Sequence, residues 1–164
     1  MTIRFGMKQA ISEIITFLDT KMGPDSGNEY HFRYPVQRTA NPLIPDAWTA
    51  RIRRDRDYIE KKAIGEVIDH FLIGLDITVE ALYENDAWDL LDELCDQVKY
   101  ELDEDPKVTT PNYPLGAFLE VVVLGITYYS APGGSEQDGL FAMGTVSLDM
   151  RRIRENRAEC RVTI

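Results

Sequence analysis

The sequence predicts an α+β domain: an antiparallel sheet packed by two amphipathic helices, with a long C-terminal β-hairpin. Three observations predict it. Apolar residues recur at helical spacing in two stretches, residues 7–22 and 86–103. Four other stretches, residues 48–59, 66–82, 118–129 and 140–153, have the alternation or the β-branched and aromatic content of strands. The whole is 164 residues with 44% hydrophobic and 28% charged side chains, which suits one domain, residues 1–164, able to bury a core without staples.

The first helix has its stripe at Met7, Ile11, Ile14, Ile15, Leu18 and Met22, and Gly23-Pro24 stops it. Residues 25–46 form a long connection with Gly27, Pro35, Pro42 and Pro45. Within it Tyr30-His31-Phe32-Arg33-Tyr34 alternates as a short edge strand would, and Pro35 limits it. A loop of this length is often functional or ordered by a partner, so it is expected to move in a free subunit.

Residues 48–59 set Trp48, Ala50 and Ile52 against Thr49, Arg51 and Arg53, a strand with a wet arginine face. Residues 61–65 turn the chain. Residues 66–82 then give the clearest strand, with Phe71, Ile73, Leu75, Ile77 and Val79 on one face and Leu72, Gly74, Asp76, Thr78 and Glu80 on the other.

Asn85 or Asp86 caps the second helix, whose stripe is Trp88, Leu91, Leu94, Cys95, Val98 and Leu102. Asp86, Asp89, Asp92 and Glu93 crowd its first turns, where the helix dipole favours anions. Pro106, Pro111 and Pro114 keep the next segment irregular. Residues 118–129 are apolar on both faces, which predicts a central or doubly covered strand. Residues 130–139 read as a flexible polar hairpin tip, residues 140–153 return as a strand, and residues 158–164 can add a last one.

Composition narrows function. The formal charge of −10 repels bulk nucleic acid and anionic membrane. The longest apolar runs fall far short of the roughly 20 residues that span a bilayer. The first residues lack a basic segment followed by a long apolar one, so no signal peptide is expected, and the chain is expected to be made and kept in the cytosol or in particles assembled there. Cys95 and Cys160 stand far apart without a CxxC motif and read as small buried hydrophobes.

The search for chemistry finds no motif. His31 and His70 lack the neighbouring ligands a metal needs and read as surface or packing histidines. Gly133-Gly134 has no Lys-Ser/Thr after it and reads as a turn. The acidic pairs Asp86/Asp89, Asp92/Asp96 and Asp103/Asp105 read as a solvated face. No nucleophile elbow is present. No catalytic residue, cofactor or metal is therefore assigned. What remains is uneven charge. Arginines cluster at 51, 53, 54 and 56 and again at 151, 152, 154, 157 and 161, while acid is concentrated in residues 86–105. Unlike patches on one chain steer identical subunits together and fix their register.

The order of elements is helix, long loop, two or three strands, acidic helix, closing hairpin. It resembles the tail terminator family of long-tailed bacteriophages and the related tail-completion and neck proteins. The likeness is carried by residues 7–22, by His70-Phe71-Leu72-Ile73-Gly74-Leu75-Asp76-Ile77-Thr78-Val79, by residues 86–103, and by the closing pair 119–129 and 139–153. The resemblance implies a ring, usually a hexamer, that caps the tail tube, stops its growth and presents a surface for head joining. Its partners would be other copies, the tail tube protein and a head–tail connector or neck protein. DNA would pass the lumen without specific binding, no membrane would be involved, and the ring would sit in the virion after assembly in the host cytoplasm.

The residues expected at subunit contacts are Arg51, Arg53, Arg54 and Arg56, then Arg151, Arg152 and Arg154, with Tyr30, Phe32 and Tyr34 as anchors and the tip from Gly133 to Asp138 reaching a neighbour. Two other classes stay open. One is a head-closure or tail-assembly adaptor. The other is a small enzyme built on the acidic helix, which needs Asp92 or Asp96 in a buried cleft.

Overall fold

A computed structural model describes residues 2–4, 6–37, 49–62, 65–81, 83–104, 107–109, 118–130, 140–154 and 161–163. In chain order the elements are β1 (Thr2–Arg4), α1 (Met7–Met22), β2 (Thr49–Lys61), β3 (Val67–Ala81), α2 (Glu84–Glu104), β4 (Lys107–Thr109), β5 (Phe118–Ser130), β6 (Leu140–Arg154) and β7 (Arg161–Thr163). The fold is α+β. Four long strands and the short β4 form an antiparallel sheet in the order β2-β3-β6-β5-β4. The short β1 and β7 pair separately, so the last strand expected from the sequence joins β1 rather than the main sheet.

Strand β3 is central, and its strict alternation explains why. Phe71, Ile73, Leu75, Ile77 and Val79 are all buried on one face, as the period-two pattern predicts. Register places Leu75 beside Val146 and Ile73 beside Leu148, so β6 continues the same apolar face. Helix α2 buries Ala87, Leu91, Leu94, Cys95, Val98 and Leu102, and α1 buries Ala10, Ile11, Ile14, Phe17, Leu18 and Met22 in the same core. A β-carbon at Gly23 would run into the Asp19 carbonyl, so glycine suits the tight exit from α1. Gly65, in the β2–β3 connection, has φ +74, a conformation that favours glycine.

Several expectations are corrected. Helix α2 begins at Glu84, so Asn85 and Asp86 lie inside its first turn rather than capping it. The segment after Pro106, read as irregular, holds the short strand β4. Strand β5 lies one place from the sheet edge, between β6 and the short β4, and Leu124, Tyr128 and Tyr129 on it are exposed. Aromatic and β-branched content did not mean burial on both faces. Residues 30–34 form no strand. Phe32 turns into the core and is fully buried, and its N–H donates to the Met22 carbonyl at 2.8 Å. The Val36 N–H donates to Asp19 Oδ1 at 2.7 Å, and Asn28 donates to the Lys21 carbonyl and to Glu101. Burial holds the Asp19 carboxyl above its usual value, against the lowering effect of the Val36 N–H. Gln37 then bridges to β2 beside Arg51. The first half of the long connection is thus fastened to α1, α2 and β2 rather than loose, while residues 38–48 lie outside the described residues.

Candidate functional site

The apolar residues of β3 share one face of the sheet, so the polar residues of alternate positions gather on the other. Register sets them in rows. Arg51 of β2 lies opposite Asp76 of β3, which lies opposite Thr145 of β6. Arg51 Nη2 reaches Asp76 Oδ2 at 3.0 Å, and Thr145 donates to Asp76 Oδ1 at 2.6 Å. Arg53 lies across Gly74 and approaches Asp76 at 3.7 Å. A β-carbon at Gly74 would sit 2.7 Å from the Arg53 guanidinium, so the missing side chain makes room for this crossing.

A second row is more deeply built. Tyr58, His70 and Arg151 are aligned across β2, β3 and β6. The His70 ring is buried under Tyr58, the two rings stacked at 4.4 Å and only 4° from parallel. Its Nδ1 lies 2.9 Å from Asp149 Oδ2, and its Nε2 lies 2.8 Å from Glu60 Oε2. Asp149 is itself buried, and Arg151 Nε donates to it at 2.9 Å. That bond from Asp149 raises the Arg151 guanidinium further above its already high value. The His70 bond holds the Glu60 carboxyl below the usual carboxylate range, with Lys62 assisting. Arg56 caps the stack, its guanidinium 5.0 Å from the Tyr58 ring centre.

The chemistry of this row is that of a clasp. Each ring nitrogen of His70 meets a carboxylate, Nδ1 that of Asp149 on β6 and Nε2 that of Glu60 on β2. The row joins three strands by charge and leaves arginine and tyrosine edges outward.

The residues singled out from the sequence fall into separate groups. Arg51, Arg53, Arg56 and Arg151 share this polar face, and Arg54 is exposed on the same strand as the first three. Arg152 is buried, pointing to the opposite face in register with Asp69, so it is a structural residue and not a surface contact. Phe32 is likewise withdrawn into the core and cannot anchor a neighbour. Tyr30 is half-buried against that core, with Glu93 and then Glu29 raising its phenol, while Tyr34 is exposed. The Arg154 side chain, Gly133 and Asp138 lie outside the described residues. Cys95 is buried and its thiol is pushed up to about 12, first by burial and then by Asp92 and Asp96. Asp92 and Asp96 are exposed on α2, so they form no buried cleft. Asp92 instead accepts a hydrogen bond from Tyr128, whose ring meets Trp88 edge-on at 6.2 Å.

Sequence reasoning missed Glu60, Tyr58 and Asp149, and it read His70 as a packing residue without its partners. The available signal was polar residues at alternating positions, Asp149 and Arg151 on β6 and Tyr58 and Glu60 on β2. Their meeting depends on cross-strand register. The chain matches no protein-family model and no curated protein.

Proposed function

We propose that this chain is a structural subunit of a bacteriophage tail or neck, of the tail terminator kind, that assembles with copies of itself into a ring, by expectation a hexamer. The observation that carries the reading is the sheet's polar face. It presents arginines at 51, 53, 56 and 151 among Asp76, Asp149, Glu60 and Glu120, on the side of the sheet opposite the buried apolar residues of β3. Ordered rows of both signs suit contact with a flat protein neighbour, where complementary potential sets partner and register. The finer architecture belongs to the same reading: two amphipathic helices as the covering layer, and β5 with β6 as a long closing hairpin that reaches an adjacent subunit or the tube. In the ring the acidic balance of the chain lets DNA pass without sticking, because like charges repel.

The test is electron microscopy of the purified chain mixed with phage tail tubes. Rings capping tube ends support the proposal. Bare tube ends, with a folded chain present in excess, contradict it. The charge-reversed double variant Arg53→Glu/Arg54→Glu is the matched control, expected to stay folded and to lose caps. Reversing Arg152 tests folding instead, since that side chain is buried.

A further inference from the structure

The outer edge of β2 is also informative. This strand ends the sheet, and among the described residues only Gln37 bridges to it, near Arg51. From Arg53 to Ile59 every residue is exposed, including Ile59 at 57% and Tyr58 at 37%. A free strand edge offers a row of unpaired backbone groups to another strand. The bulge between Arg54 and Arg56 and the charges along the edge are the usual devices against indiscriminate pairing. They leave residues 56–61 as a regular ladder.

Two copies related by a two-fold axis perpendicular to the sheet pair antiparallel, and residues facing each other point to the same side. The axis must then pass through one residue and its own copy. Centred on Arg56, that arginine faces itself and Asp55 faces Asp57. Centred on Asp57, the aspartate faces itself and Arg53 faces Lys61. Centred on Ile59, Arg56 faces Lys62. Centred on Tyr58, the two tyrosines meet, Arg56 faces Glu60 twice and Asp57 lies beside Ile59, while Asp55 and Arg54, which would come opposite Lys61 and Lys62, lie at and beyond the bulge. The Ile59 register also sets Asp57 opposite Lys61 twice but brings Arg56, inside the regular ladder, against Lys62, whereas the Tyr58 register keeps its unlike pairs inside the ladder and its like pairing, Arg54 with Lys62, beyond the bulge. Opposite charges across a strand pair stabilise it and like charges oppose it.

We propose that β2 pairs edge to edge with β2 of a second copy, centred on Tyr58, giving a two-fold dimer with a continuous sheet. The strand is already set for it. The His70 clasp holds Glu60 and the Tyr58 ring in place, and Arg56, whose described contact is the Tyr58 ring, has no carboxylate within ion-pair reach among the described residues of its own chain. The partner's Glu60 supplies one. A ladder this short buries less than large obligate interfaces do, so the dimer forms with rising concentration. The pairing goes beyond the ring reading and stands or falls separately from it.

Cysteine cross-linking reads the register directly. Residues facing each other across antiparallel strands have α-carbons about 4.5–5.5 Å apart, within disulfide range. In a Cys160→Ser background, Tyr58→Cys should cross-link to a dimer under mild oxidation, whereas Ile59→Cys, offset from its own copy, should not. Arg56→Glu, which leaves the His70 clasp intact, should weaken self-association by roughly tenfold in sedimentation, since two favourable pairs become unfavourable. Arg56→Lys should restore it. Equal cross-linking at 58 and 59, association unchanged in Arg56→Glu with normal circular dichroism, or a wild-type chain that stays monomeric at high concentration would each overturn the proposal.

Discussion

At position 70 one imidazole ring touches a carboxylate at each nitrogen, one buried and one half-exposed, and lies flat against a tyrosine. Burying Asp149 is costly unless its charge is compensated, and His70 and Arg151 together supply that compensation. Removing one partner leaves the others uncompensated. Asp149→Asn should therefore lower stability by about 3 kcal/mol in denaturant unfolding, the range for breaking a buried pair. Glu60 reports on the same contact by titration. Its carboxyl is lowered first by the His70 bond, so its contribution is fully present above the ordinary carboxylate range. That contribution is lost as pH falls through the lowered value. In His70→Ala the Glu60 midpoint, followed by carboxyl NMR, should rise toward the ordinary value. Cys95 offers a third check at this scale: a thiol raised to about 12 and buried should ignore a thiol reagent until the chain unfolds. Of these three groups only Cys95 was legible in the sequence, because a helical stripe reports burial by itself. His70, Glu60 and Asp149 are 10 and 79 residues apart in their bonded pairs, and no spacing rule links them.

The elements follow from periodicity where one face is apolar and the other polar. The bounds of α1 and the alternation of β3 could be read directly, because each element has one buried face. Helix α2 is held by its apolar stripe rather than by its acidic face. Leu94 is fully buried, so Leu94→Ala should cost about 3 kcal/mol in thermal or chemical unfolding, whereas Leu124→Ala on exposed β5 should change little. The strand order β2-β3-β6-β5-β4 was not legible, since it depends on which long-range pairs form. The same applies to residues 26–37. Their prolines and aromatics read as a partner-ordered loop, but Phe32 completes the core between α1 and the sheet. A segment of this composition docks at home when its aromatic finds an apolar hole in its own domain. For β5, apolar residues on both faces were misread as double burial. An edge-proximal strand can keep apolar side chains in solvent, where a neighbouring chain can meet them.

For the whole molecule, two layers and one polar sheet face divide the work. The helices and the inner sheet face account for stability. The polar face and the β2 strand carry charge of both signs on a chain with net charge −10. Such surfaces associate by electrostatic match, so association should weaken with added salt. The central claim is that this face and edge exist to meet copies of the same chain. Sedimentation equilibrium of the 164-residue chain across a wide concentration range, at low and high salt, tests it most directly. The expected result is a mass that rises above 18.7 kDa in multiples with concentration, falls back with salt, and drops in Arg56→Glu. A mass fixed at 18.7 kDa at every concentration in low salt would contradict it.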